Sequence, residues 1–304
     1  MDRPLLLHSL REYRAILLRC FEAVDARSFV EIGSESGAVT QELVELVVAR
    51  HGSLTTLEPF PTPEVVELDR AEPAFRLVIG HSPGALADVD AADAWVVDGD
   101  HNHWTVTREL EAILDKADAA DRPPLVIFHD VGWPWARRDL YYDPSTLPPE
   151  GVQPHTWAKG VHPGEDGVVG SGFRGEGGFA AALSEGGPRN GVLTGIEDVL
   201  ASRDGVELIK LAPIYGVGFV FPGDAPWAAA LREVLAPYAD LDLLERLEEN
   251  RLALYMRVIE LQDRLHRLDA GRNRALAGRD ARIAQLEGEI ATLRVALARV
   301  REAA

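Results

Sequence analysis

The sequence is poor in cysteine, with Cys20 alone among 304 residues. A lone thiol cannot form a disulfide within the chain, and on an apolar helix face it is typical of core packing. Long apolar runs are also missing, since no stretch reaches the roughly 18 residues that span a bilayer. The run Leu5–Leu7 is short and is soon followed by charge, which makes a poor signal peptide. We therefore expect a cytoplasmic protein.

Positive charge is scarce as well. The chain has 31 Lys and Arg residues against 49 Asp and Glu residues, for a formal net charge of −18. This balance opposes binding to nucleic acids and to anionic membrane surfaces, both of which require clustered basic residues. The composition is otherwise that of a soluble globular protein. We expect a small-molecule or glycan substrate, with no nucleic-acid or membrane partner.

Short apolar runs alternate with helical patterns over the first 130 residues. The predicted strands are Ser28–Gly33, Leu54–Leu57, Phe75–Ile79, Ala94–Val97 and Leu125–Phe128, and the predicted helices are Leu5–Val24, Val39–Ala49, Glu64–Ala71 and Val106–Ala119. Such alternation favours a mostly parallel sheet covered by helices on both faces. A helix at Ile196–Ser202 and two strands, Val206–Leu211 and Gly216–Phe221, would close the sheet with an antiparallel pair. The predicted fold class is a Rossmann-like, doubly wound α/β sheet.

The rest of the chain divides into an insertion and a tail. Residues 133–191 are rich in Gly, Pro and aromatic residues with little periodicity, and we interpret them as a lid or substrate-binding insertion in a domain spanning residues 1–224. Residues 225–304 are predicted to be helical. Leucine, isoleucine and valine recur there at the three-four spacing of a coiled coil, in two phases separated by Gly271 and Gly278. A helical hairpin and a single stuttered helix both fit this break, and the tail is predicted to form homo-oligomers.

A glycine loop follows the first predicted strand. The segment Glu31-Ile32-Gly33-Ser34-Glu35-Ser36-Gly37 has the spacing E-x-G-x-x-x-G, which differs from the G-x-G-x-x-G of nicotinamide-binding proteins. It resembles the first motif of class I methyltransferases, in which this loop holds S-adenosylmethionine (SAM). The resemblance implies that Glu31, Gly33, Ser34 and Gly37 surround the cofactor, that Glu58 at the next strand end binds its ribose, and that Ser82 lies near its adenine.

Acidic and imidazole side chains follow the fourth and fifth predicted strands. Asp98-Gly99-Asp100-His101-Asn102-His103 comes after one strand and His129-Asp130 after the other. Ligands of open α/β sheets bind at the carboxyl ends of the strands. Clustered ionisable residues at that edge are therefore better explained by a site than by a core.

This pattern resembles the metal-dependent sugar O-methyltransferases of macrolide biosynthesis, the macrocin and mycinamicin type. The resemblance covers roughly residues 25–135. It implies a divalent metal, with magnesium as the first candidate, bound by Asp98, His129 and Asp130, and His101 as the base. Asp98 is also a candidate cofactor contact. His129 departs from the family, where an acidic residue is usual, so it would either suit a softer metal or orient Asp130.

Other residues near these motifs have two interpretations each. Asp100 is a second catalytic candidate or a cap for the helix near Thr105, and His103 fits a surface position. Trp133, Trp135, Tyr141 and Tyr142 would stack on a sugar ring, and Arg137 and Arg138 would bind carboxylates or phosphates; alternatively, all six simply pack the insertion.

The predicted function is O-methyl transfer to a hydroxyl of a sugar, glycoside or related natural product. Near neutral pH a hydroxyl is a weak nucleophile, which is why a metal and a histidine base suit the reaction. Two alternatives remain: a metal-dependent, hydroxylase-like tailoring enzyme on the same fold, and a non-catalytic scaffold that acts through the coiled coil.

Overall fold

The computed structural model describes residues 9–239 and 241–302, and it divides the chain into two compact units, Met1–Leu254 and Tyr255–Ala304. The first unit contains all the strands. The main-sheet strands are β1 Ser28–Ile32, β2 Ser53–Leu57, β3 Phe75–Val78, β4 Ala94–Val97, β5 Leu125–His129, β9 Val206–Leu211 and β10 Val217–Pro222. The helices are α1 Arg14–Ala23, α2 Ala38–Arg50, α3 Pro63–Ala71, α4 His103–Ala120, α5 Val192–Leu200, α6 Ala228–Leu235 and α7 Asp242–Glu302.

The main sheet has the order β3-β2-β1-β4-β5-β10-β9. The first five strands in this order pair in parallel, whereas β10 lies antiparallel between β5 and β9. This is the strand order of the class I methyltransferase fold, so the predicted fold class is confirmed. The parallel arrangement places the carboxyl ends of β1, β2, β4 and β5 at one edge of the sheet, where the glycine loop and the acidic clusters begin.

Two apolar layers cover the sheet. Alternate residues of each strand point to opposite faces, as the period of a strand requires. Phe29, Val96 and Ile127 belong to the layer that includes residues of α1, α2 and α6, and Cys20 is buried in that layer as predicted. Val30, Trp95 and Val126 belong to the layer that includes residues of α4 and α5. The strand tips are therefore held by a packed core on both sides.

The insertion has its own small sheet and a buried arginine that stabilises it. It contains a small antiparallel sheet in the order β6-β8-β7, formed by Leu140–Tyr141, Ala180–Ala182 and His155–Thr156. Arg138 has no exposed side-chain surface and donates hydrogen bonds to the carbonyl oxygens of Ala182 (2.7 Å) and Asp166 (2.8 Å). The insertion thus has a small sheet and an internal arginine anchor that its composition did not reveal.

Asp139 joins the insertion to α4. Its carboxylate accepts hydrogen bonds from the backbone N–H groups of His103 (2.8 Å) and Gly191 (2.6 Å) and from the hydroxyl of Tyr141 (2.7 Å). Asp139 is 1% exposed, so these donors would lack a partner without it. One carboxylate therefore fixes the start of α4 and both ends of the insertion.

The helical tail begins inside the first unit. Ala228, Leu231 and Leu235 of α6 are buried in the core, so the first unit continues past residue 224 and ends at Leu254. From Asp242 to Glu302 the chain is one α-helix, with Gly271 and Gly278 in its interior. The hairpin alternative is therefore wrong. In the described part of the chain, no helix combines the length and the apolar character that a membrane span requires.

We predict that Asp139→Ala lowers the free energy of unfolding by about 3 kcal/mol, because it leaves two buried N–H groups unpaired. Asp139→Asn, which retains one carbonyl acceptor, should cost less. Denaturant unfolding followed by far-ultraviolet circular dichroism measures both effects. Asp90→Ala at an exposed position is the control and should change stability little. Equal stability of Asp139→Ala and Asp90→Ala would contradict this role.

Candidate functional site

The glycine loop makes a close approach to the end of β4. Gly33 has φ +84°, and a Cβ there would lie 2.4 Å from the carbonyl oxygen of Asp98. Gly37 has φ +74°, and its Cβ would lie 2.7 Å from the Val65 side chain. Both positions therefore require glycine. The loop thus passes directly beside the first residue of the predicted catalytic cluster.

Two glutamates brace this loop. Glu31 is buried and accepts hydrogen bonds from the hydroxyls of Thr40 (2.7 Å) and Thr56 (2.8 Å), and burial raises the pKa of its carboxyl to about 7. Glu58 accepts from the backbone N–H groups of Ser34 (2.9 Å) and Phe60 (2.9 Å). Glu31 therefore ties β1 to α2 and β2, and each of the two glutamates lines a cavity beside the loop.

Asp98, His129 and Asp130 come together at the ends of β4 and β5. One potential ligand atom from each lies within 4.8 Å of the others. His101 joins them, because its Nε2 lies 3.2 Å from Asp98 Oδ1 and 3.0 Å from Asp130 Oδ2. Two carboxylates and two imidazoles thus share one small volume, as the sequence predicted for the residues named as metal ligands and base.

Hydrogen-bonding partners on both ring nitrogens fix the orientation of the His129 side chain. Its Nδ1 faces Asp98 Oδ1 at 3.1 Å, while its Nε2 lies 3.0 Å from the carbonyl oxygen of Ile214 and can donate to it. Metal-binding histidines commonly donate their second ring N–H to a carbonyl in this way. The arrangement leaves Nδ1 as the ring atom directed into the cluster.

Backbone strain marks the same place. Asp130 has φ +60°, and on the facing loop Ile214, Tyr215 and Gly216 have φ +54°, +64° and +81°. A β-branched residue such as Ile214 rarely adopts this conformation. Strain of this kind persists where surrounding contacts impose it, and it is concentrated at functional sites.

The cluster shifts its own protonation equilibria. Burial alone would lower the pKa of His129, but Asp98 and Asp130 raise it to about 9. Burial likewise opposes a raised pKa at His101, yet Asp130 and Asp98 hold it above its usual value. The pKa of Asp98 lies well below its usual range despite burial, because His129 and His101 are close. The two carboxylates therefore favour positive charge between them.

Neighbouring predictions need correction. Asn102, and not Asp100, caps α4: its side chain accepts from the N–H of Thr105 at 2.9 Å. His103 is not a surface residue, since it is 8% exposed and its Nε2 lies 2.7 Å from Asp198 Oδ2. Asp100 lines a different cavity from the one that His101 lines. The catalytic role of Asp100 therefore stays a prediction.

Two cavities meet at Gly33 and Asp98. The first has a volume of about 310 Å³ and contains the cluster of Asp98, His101, His129 and Asp130. The second, of about 320 Å³, is lined by Glu58, Ser82 and Asp100. Both are lined by Gly33, Glu35, Asp98 and Tyr142, so a ligand that follows the glycine loop can extend from one cavity into the other.

The aromatic and basic residues after β5 have different roles. Trp135 and Tyr142 line the first cavity together with Phe173, Phe179 and Tyr215. Tyr141 is buried and bonds to Asp139, and Arg137 forms a two-pronged ion pair with Glu197. With Arg138 buried in the insertion, the structure supports cavity contacts for Trp135 and Tyr142 and packing roles for Tyr141, Arg137 and Arg138.

Glu109 is a cavity residue that the sequence argument missed. It is fully buried on α4, lines the second cavity, and receives no hydrogen bond of normal geometry from the described residues. Burial raises the pKa of its carboxyl to about 8, with the nearby hydroxyl of Ser82 opposing and Asp100 adding to the shift. A carboxyl three residues from Val106, on the apolar face of a predicted helix, is the signal that could have identified it.

We predict that Glu109→Gln changes how stability depends on pH. Between about pH 5 and pH 8 the folded wild-type chain holds a proton on Glu109 that the unfolded chain has lost, so wild-type stability falls as pH rises. Glutamine has no ionisable side chain, so the variant lacks this contribution to the pH dependence of stability. Relative to wild type, the Tm of Glu109→Gln should therefore rise from pH 5.5 to pH 8.

Glu111→Gln is the matched control, because Glu111 lies on the exposed side of the same helix and pairs with Arg108. It should show no such trend. Parallel pH profiles for Glu109→Gln and wild type would contradict a neutral, buried Glu109.

One family model matches the part of the chain that carries the site. Residues 30–131 match the model of a family described as a methyltransferase domain. None of the curated proteins is similar to the chain at a significant level. Among solved structures, the SAH-bound methyltransferase PaMTH1 of Podospora anserina is 14% identical over 68% of this chain and 76% of its own, with a TM-score of 0.38.

The O-methyltransferase TomG of Streptomyces achromogenes, which takes part in tomaymycin synthesis and was solved in complex with SAM, is 17% identical over 70% of this chain and 84% of its own, with a TM-score of 0.39. Similarity at this level does not transfer a substrate. The family match covers about a third of the chain, from β1 to the end of β5, and these are the strands that carry the glycine loop and the acidic cluster.

Proposed function

We propose that the chain transfers the methyl group of SAM to a hydroxyl of a sugar, glycoside or related natural product, with a divalent cation bound by Asp98, His129 and Asp130. The observation that carries the proposal is the convergence of these three side chains within 4.8 Å, next to the glycine loop. Magnesium remains the first candidate, although an imidazole ligand would also suit a softer metal.

The two cavities fit the two ends of SAM. The first turn of α2 lines the first cavity, and its N-cap, Gly37, offers no side-chain cap to its N–H groups. Free N–H groups at a helix start suit the carboxylate of the methionine part. In the second cavity, Glu58 can accept from ribose hydroxyls, and the buried side-chain oxygens of Ser82 and Glu109, which have no hydrogen-bond partner among the described residues, would meet the adenine end.

The cluster also fits a cation. Two carboxylates supply hard oxygen ligands, and His129 directs Nδ1 inward because its other nitrogen is held by Ile214. A bound divalent cation would lower the pKa of a coordinated substrate hydroxyl and fix its direction. His101 lines the same cavity and is the residue placed to accept the hydroxyl proton.

The acceptor cavity has aromatic walls. Trp135, Tyr142, Phe173, Phe179 and Tyr215 surround the space next to the cluster. Aromatic faces pack against the apolar face of a sugar ring and exclude water from it. Aromatic side chains next to the carboxylates of Asp98 and Asp130 suit a sugar acceptor. Its ring would pack against the aromatic side chains while its hydroxyls face the two carboxylates.

We predict that Glu58→Ala weakens SAM binding at least about 10-fold, because it removes both the ribose acceptor and the partner of the Ser34 N–H. Isothermal titration calorimetry with SAM measures this directly and needs no acceptor. Glu67→Ala, at an exposed position on α3, is the control and should bind SAM like wild type. Unchanged affinity in Glu58→Ala would contradict the assignment of the second cavity.

We predict that Asp130→Asn weakens binding of Mg²⁺ or Mn²⁺ at least about 10-fold, since it removes a charged ligand. His101→Gln should not weaken cation binding, yet it should lower kcat by about 10²-fold or more. Calorimetry with the metal alone reads the first effect. Transfer of labelled methyl from SAM to a panel of glycosides, with and without chelator, reads the second.

His266→Gln, at an exposed position on α7, is the control for both measurements. Full methyl transfer by His101→Gln in the presence of chelator would contradict the metal-assisted mechanism while leaving the methyltransferase assignment intact. Oxygen-dependent turnover with bound iron would instead favour a hydroxylase-like reaction.

A further inference from the structure

The second compact unit presents an exposed apolar stripe along α7. In a seven-residue repeat, its a positions are Val258, Leu265, Ile283, Ile290 and Leu297, and its d positions are Leu261, Leu268, Leu286, Leu293 and Val300. We call these ten residues the apolar seam. Each is between 39% and 68% exposed in the single chain. Regularly spaced large apolar residues on one helix face are typical of a coiled coil that buries them against another helix.

We propose that the apolar seam binds the same seam of a second copy of this chain, as a parallel, in-register, two-stranded coiled coil. This goes beyond the proposed function, because it names the partner, its direction and its register. Residues 283–293 of the seam carry Ile at both a positions and Leu at both d positions. β-Branched a residues with Leu at d favour two strands over three or four.

The flanking charges favour the parallel direction. In a parallel pair, each g residue faces the e residue five positions later on the other helix. This rule pairs Arg264 with Asp269, Arg282 with Glu287, and Glu289 with Arg294 of the second copy. All three pairs are of opposite sign, and each forms twice in a symmetric dimer. No pair of like charges arises between these positions.

Most of these charges are available for such pairs. Arg264, Arg282, Glu287 and Arg294 form no ion pair within residues 9–239 and 241–302. Asp269 lies 3.6 Å from Arg272 of its own helix, and Glu289 accepts a hydrogen bond from Gln285. The dimer would therefore add partners to exposed groups rather than replace strong contacts.

The break in the seam fixes the register. Residues 269–282 carry Gly271, Gly278 and several arginines, and the seven-residue repeat resumes after them with its phase shifted by four residues. In an in-register parallel pair, residues 269–282 of one helix lie beside residues 269–282 of the other. An antiparallel pair can also align the breaks, with Leu265 opposite Leu286. Its flanking positions would bring Arg264 near Glu289 but also Asp269 near Asp280, whereas all three flanking pairs of the parallel dimer are attractive. Charge thus separates two arrangements that the apolar residues alone would both allow.

Light scattering of the full chain at micromolar concentration tests the association. We expect a mass twice that of one chain. Ile290→Glu places a charge in the seam and should halve that mass, whereas Val295→Glu should not. Val295 is the matched control because it is 54% exposed on the same helix, against 48% for Ile290, but lies outside the seam. Circular dichroism should show both variants folded, since both sites are exposed.

Disulfide trapping tests the direction. In the parallel dimer Leu286→Cys faces its own copy and should cross-link under mild oxidation, whereas Gln285→Cys, on the outer side, should not. Cys20 is buried and does not compete. A monomeric or trimeric wild-type chain, or equal loss of mass in both glutamate variants, would overturn the proposal. So would cross-linking of a Leu265→Cys/Leu286→Cys double variant without cross-linking of Leu286→Cys.

Discussion

The requirement to neutralise two carboxylates at adjacent strand tips governs the structure around the site. Asp98 and Asp130 stand at the ends of β4 and β5, which pair in parallel and so deliver both groups to one edge. Two acidic groups sharing a buried volume repel unless positive charge lies between them. His101 and His129 supply the positive charge here, and the two carboxylates raise the pKa of both imidazoles. A divalent cation would meet the same need with higher charge.

The rest of the first unit maintains this arrangement through the loop that holds His129. Ile214 and Tyr215 adopt left-handed backbone conformations, which cost free energy and must be imposed by contacts. Tyr13, before α1, donates to the carbonyl of Pro213, and Glu248 of α7 accepts from the N–H of Tyr215 at 3.0 Å. Arg251 pairs with Glu248 and lies 4.8 Å from the centre of the Tyr215 ring. Elements far apart in sequence thus hold residues 213–215, the loop whose Ile214 carbonyl oxygen faces His129.

The features that could be predicted from the sequence are those that depend on residues close together in the chain. The glycine loop, the strands and the acidic tips depend on short-range pattern, so Asp98, His101, His129 and Asp130 were placed together correctly. The carbonyl of Ile214 could not be anticipated, because any residue supplies a carbonyl and only the tertiary fold chooses this one. The N-cap of α4 is Asn102 because the helix begins at His103, two residues before Thr105, and the N-cap is the residue directly before the first helical one. Asp139 was missed, and the two interpretations of Arg138 could not be separated, because their backbone partners lie 27 to 52 residues away.

The charge balance also sets a condition on the proposed role of His101 as a base. While both carboxylates face its ring, they favour the imidazolium, which cannot take a proton from a substrate hydroxyl. In the proposed metal-bound state Asp98 and Asp130 would direct their charge to the cation, and the same ring would lose the interactions that raise its pKa. Cation binding and a neutral His101 would then be favoured together. In the proposed mechanism the two aspartates would therefore let His101 accept a proton only when the cation is bound.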